Sequence, residues 1–126
     1  MSIIHELLVE NKIHNNVKTV KKMYNSLLRE SKQDLALYKN EFSTLNEQVN
    51  VDDSDLKSGF KRVSETLKSA KQLIESADSA QKLEEKQKNI KQANVLVQEG
   101  NEFREELMES FSNTVNKAQK IFESVN

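Results

Sequence analysis

The chain has two histidines, His5 and His14, and no cysteine. Glu10 and His14 stand one helical turn apart and offer two ligands to a metal, whereas stable sites take three or four. The Glu-x-x-His pairs of di-iron bundles are absent. Without cysteine there is no disulfide, thiolate zinc site, iron–sulfur cluster or cysteine nucleophile. Serines are numerous, but a serine nucleophile needs a base held beside it. Neither histidine stands near a serine in such a pattern, and no Gly-x-Ser-x-Gly elbow occurs. The two glycines, Gly59 and Gly100, are too far apart to build a phosphate-binding loop. The expectation is a non-enzymatic protein with no catalytic, cofactor-binding or metal-binding residue and no small-molecule substrate.

Charge narrows the partners. Nineteen Lys and Arg against twenty Asp and Glu give a formal net charge of −1. Proteins that neutralise nucleic-acid phosphates carry a basic excess, so nucleic acid is excluded as a general partner. The start, Met1 to Glu10, lacks a basic opening, and Glu6 and Glu10 interrupt its apolar run, unlike a secretory signal. No apolar stretch approaches the ~18–20 residues of a membrane span. The expectation is a cytoplasmic chain that, if exported, leaves without a cleaved signal peptide.

The elements that must carry any function are helices. There is no proline, and 36% hydrophobic against 31% charged residues suits long helices with one narrow apolar stripe. Val17, Tyr24, Ser31, Tyr38 and Leu45 recur every seven residues. A second row, Ile13, Val20 and Leu27, shifts by one to Leu28, Leu35, Phe42 and Val49. Such rows mark a packing seam. Asn50 to Asp55 is the densest cluster of turn and N-cap residues and reads as the main turn. Beyond it, Leu56, Val63, Ala70 and Ala77 form one row, and Phe60, Leu67 and Ile74 the other. The phase moves near Asp78–Ser79. Leu83, Ile90, Val97, Phe111, Ala118 and Val125 then share a row.

Gly100-Asn101 is the second strong break candidate, since glycine caps a helix end and asparagine starts the next. An unbroken helix from the turn to residue 126 overhangs the first by roughly 36 Å at ~1.5 Å per residue. A break at Gly100 matches the two long helices instead. The expected fold is therefore all-α: an elongated antiparallel hairpin or three-helix bundle with coiled-coil-like packing, in one domain spanning 1–126. Its helices run about 2–49, 55–99 and 102–124.

Partner-binding residues are expected on the last helix and on a basic stretch. Phe103, Leu107, Phe111, Val115 and Phe122 give the C-terminal helix a rich apolar stripe, either a core contact or a face offered to a partner's groove. Lys18, Lys21 and Lys22, with Lys12 and His14, form the basic stretch. Glu99, Glu102, Glu105, Glu106 and Glu109 form an acidic one, relieved only by Arg104. In an antiparallel hairpin residue 12 lies across from about residue 92, making the two stretches neighbours that fix helix order or steer a partner. The mostly acidic polar face of the C-terminal helix disfavours a membrane surface.

A cysteine-free helical hairpin of this length without a signal peptide resembles the small helical proteins of type VII secretion systems. These are the WXG-like proteins and the accessory proteins that pair with LXG toxins. The family's Trp-x-Gly turn falls near Leu56-Lys57-Ser58-Gly59, where this chain has no tryptophan and spacing one residue longer. Its export motif, an aromatic followed four residues later by an acid, is also missing. Phe103 is followed by Leu107, Phe111 by Val115 and Phe122 by Asn126. With those departures, the resemblance implies an accessory or targeting chaperone whose partner is the N-terminal helical domain of a secreted toxin. The residues alone also permit a self-associating structural coiled-coil scaffold subunit.

Overall fold

The computed structural model describes residues 3–125, with Val125 by its backbone alone. It is an all-α three-helix bundle: α1 is Ile3–Asn46, α2 is Ser54–Ser79 and α3 is Leu83–Val125. The helix start expected at residue 2 and the stripe position of the Val125 side chain lie outside the described residues. The expected turn at 50–55 forms. α1 closes at Asn46 and α2 opens at Ser54, where Asp52 Oδ1 accepts from the Ser54 amide at 3.1 Å and its hydroxyl at 2.8 Å. Those bonds hold the exposed Asp52 carboxyl below the usual carboxylate range.

The second corner differs from the expectation. Gly100 lies inside α3, and the chain turns at Ala80-Gln81-Lys82, with Ala80 in an extended conformation. The phase change at Asp78–Ser79 marks this corner. Neither glycine has positive φ. Both are sites of close approach. A Cβ on Gly100 would stand 2.8 Å from Leu27 Cδ2, and one on Gly59 would overlap the Leu107 side chain. The glycines thus let helices pack rather than end.

The corner at 80–82 makes α2 short and turns α3 parallel to α1. Arg104 binds Asp34, and the Phe111 ring lies 5.8 Å from that of Phe42. α2 runs antiparallel to α3, with Arg62 over Phe103 and Gly100 near Thr66. The core follows the heptad rows: Val17, Val20, Leu27 and Phe42 meet Leu56, Val63, Ala70 and Ala77, with Ile90, Ala93 and Val97 from α3.

Candidate functional site

Residue 34 paired with residue 104 sets an offset between α1 and α3 that brings the start of α3 beside residues 10–14. Glu10, Asn11 and His14 line one shallow depression with Leu83 and Lys86. α2 reaches only to about Lys21, which bridges Asp78 at 2.8 Å. Residues 3–9 of α1 therefore project about 10 Å beyond the bundle at ~1.5 Å per residue. They carry Ile3, Ile4, Leu7 and Leu8, exposed by 75, 71, 53 and 62%. Residues 3–12 are all exposed, and the first buried position is Ile13.

The partner-binding positions expected on the last helix are placed differently. Leu107 and Phe111 are buried core residues, and Phe103 and Val115 pack against that core. Phe111 adjoins both Tyr38 and Phe42. Phe103 lies beneath the Arg62 guanidinium, 3.6 Å from the ring centroid. Phe122 is half-buried near the C-terminal end. The richness of this stripe reflects two neighbours to bury it, α1 and α2, rather than one.

Lys18 and Lys22 are exposed, and Lys21 is tied to Asp78. The basic stretch does not border the acidic one. With α3 parallel to α1, residue 12 lies near the start of α3, and Glu99 to Glu109 run alongside roughly 29–39. Arg104 alone turns inward from that acidic stretch. Its Nε donates to Asp34 Oδ2 at 2.5 Å, its Nη2 to Asp34 Oδ1 at 3.2 Å, and Nη1 stands 3.4 Å from Glu30. The Asp34 hydrogen bonds push the guanidinium above its ordinary value. Asp34 is the one buried charged side chain among the described residues. Sequence reasoning missed it, although the row Ile13, Val20, Leu27 continues to residue 34. An acid in a core row requires a cation, and Arg104 is the cation inside the acidic stretch.

A second polar tie secures the turn. The Tyr38 hydroxyl donates to Asp53 Oδ2, and Lys57 stands 3.7 Å from the other carboxylate oxygen. Burial, then the Asp53 hydrogen bond and charge, push the Tyr38 phenol up to about 12. Burial and the charge of Glu75 raise Tyr24 as well. Each tie fastens two segments: Asp34 and Arg104 join α1 to α3, and Tyr38 and Asp53 join α1 to the first turn.

Among the described residues, no group of three or more His, Cys, Asp or Glu stands close enough to hold a metal. No helix among them is long and apolar enough to cross a membrane. Comparison with protein-family models, curated proteins and solved structures finds no match.

Proposed function

We propose that this chain is a protein-binding helical adaptor that acts without catalysis. It engages a larger helical partner side by side through the projecting start of α1. The observation that carries this reading is the apolar face of Ile3, Ile4, Leu7 and Leu8, which lies beyond the reach of α2 and α3. Contiguous apolar surface of this kind on a soluble domain marks an interaction site. A projecting helix with apolar residues at helical spacing fits a helix-to-helix contact. The resemblance to type VII accessory proteins makes the N-terminal helical domain of a secreted toxin the partner class, and the role a targeting chaperone.

The test is affinity purification of the C-terminally tagged chain from its native host, beside a Leu7→Ser/Leu8→Ser variant. The expected result is a helical partner recovered with the native chain and lost with the variant, with circular dichroism unchanged. Recovery of a compact monomer without any partner overturns the reading. Light scattering across a concentration series tests the scaffold alternative. A tight homodimer or larger oligomer that the same variant dissociates establishes self-association instead.

A further inference from the structure

The bundle is open along one side. Leu28, Ser31 and Leu35 on α1 face Phe60, Val63 and Leu67 on α2 across a groove of about 190 Å³. Val63 and Leu67 form a buried floor, Leu28 and Phe60 are half-buried, and Leu35 is 36% exposed. Ser31 Oγ is shut off from solvent and has no hydrogen-bond partner. Buried hydroxyls without a partner are uncommon and destabilising.

The rim is cationic. Lys32 lines the groove, and Lys39 follows it by one heptad. On α2, Lys57 and Lys71 stand one heptad on either side of the lining residue Ser64, and Lys68 lies one turn after it. All five are exposed; Lys57 stands 3.7 Å from Asp53, and Glu65 and Glu75 lie within one helical turn of Lys68 and Lys71. The acids of α1 in this stretch, Glu30 and Asp34, are turned to Arg104 on the α3 side. Lys21, Glu75 and Asp78 occupy the far end, where the Lys21–Asp78 bridge closes the seam.

We propose that this groove binds an acidic amphipathic helix of another protein. Two turns of that helix place apolar side chains on the floor and carboxylates against the lysine rim. The proposal rests on the adaptor reading and adds a second, chemically defined contact. Floor residues at steps of three and four match the ridges of a third helix. The α3 helix of a second copy fits poorly: its acidic face carries Glu99, Glu102, Glu106 and Glu109, but Val95 is the only large apolar side chain exposed between Leu83 and Ile121. A bilayer fits poorly too, because the apolar floor is recessed between two helices and a flat surface does not reach it.

The test is fluorescence anisotropy on the full chain. One probe is a synthetic amphipathic peptide of about 20 residues, long enough to hold a helix, with leucines at heptad spacing and glutamates beside them. The other has lysine in place of each glutamate. The acidic peptide is expected to bind at least about tenfold more tightly than the basic one. Raising salt from about 50 to about 500 mM should weaken it, as screened charges require. Lys32→Glu/Lys71→Glu should erase the preference, and Leu35→Asp should lose binding, with unchanged helicity in both. No binding, equal binding of the two peptides, or insensitivity to these variants overturns the proposal. So does tighter binding to anionic phospholipid vesicles, or a dimer that Leu35→Asp splits. If the peptide fails while Leu7→Ser/Leu8→Ser still abolishes partner capture, the groove is removed and the adaptor stands. If partner capture fails as well, both are removed.

Discussion

The seams on the two sides of α2 follow the same heptad arithmetic and end in opposite states. On the α3 side, Gly59 receives Leu107, Ala70 and Ala77 are fully buried, and Ala93 and Gly100 let α3 approach. Small residues opposite large ones allow the backbones to close, and side chains interlock at the density of a folded interior. On the α1 side, Leu28, Leu35 and Phe60 face one another with Ser31 and Ser64 among them, and no glycine or alanine lines the contact. Bulk on both faces props the seam open and leaves a groove. Residue size at the contact, more than the presence of an apolar row, decides whether a helix pair seals.

The sharpest test is to truncate one leucine of α1 where it packs on α3 and another on the open seam with α2. Leu27 is 1% exposed at the junction with α3, so Leu27→Ala should cost about 3–4 kcal/mol in chemical denaturation. Leu35→Ala, on the open lip, should cost less than about 1 kcal/mol. Equal losses would mean that the groove is closed in solution.

The polar ties should produce the next effects. Asp34→Ala strands a partly buried Arg104 with Glu30 and Glu105 as its remaining acids. It should cost about 2–3 kcal/mol, and adding Arg104→Met should recover much of that loss. Failure of the second change to rescue would show that the pair contributes through packing alone.

Tyr38 gives a pH test of similar size. Its folded pKa is raised from 10.0 to about 12, so the folded chain holds the phenolic proton more tightly than the unfolded chain does. The stabilisation is complete below pH 10 and disappears as pH rises towards 12. A shift of this size corresponds to about 2–3 kcal/mol. Tyr38→Phe should remove that extra loss relative to the native chain. Parallel titration curves would show that the Asp53 contact is not maintained in solution.

Gly100→Ala should have the smallest net effect of the closed side. Alanine favours the helix by about 1 kcal/mol over glycine, but its methyl must displace Leu27 Cδ2, and overpacking costs about 1–3 kcal/mol. A net destabilisation of about 1 kcal/mol is expected, relieved when Leu27 is shortened in the same chain. A stabilised Gly100→Ala variant would show that Leu27 yields freely and that this junction is looser than its burial suggests.

Much of the fold was legible along the chain. The rows through Val17, Tyr38 and Leu45, and through Leu56, Val63 and Ala70, name core positions because burial repeats with the helix. The first turn was legible because Asp52 and Ser54 are suited to a helix start. The second was partly legible: a slip in phase stood at Asp78–Ser79, but glycine chemistry pointed to Gly100. A glycine signals a helix end and a close helix contact by the same missing Cβ, and neighbouring residues do not separate the two. The projecting start of α1 was not legible, since Ile3, Leu7 and Leu8 have the same spacing as a buried stripe.

The sequence by itself determined that this protein is helical, where its apolar stripes run and that it has no cysteine chemistry, because those follow from local periodicity and residue type. Tertiary structure decided the rest. Whether Leu107 and Phe111 are core or contact surface depends on how many helices surround them. Whether Asp34 meets Arg104 depends on α3 running parallel to α1, and whether Lys32 faces a groove depends on how α1 meets α2. The turn at 80–82 sets that direction, and with it which apolar faces the chain covers itself and which it leaves exposed.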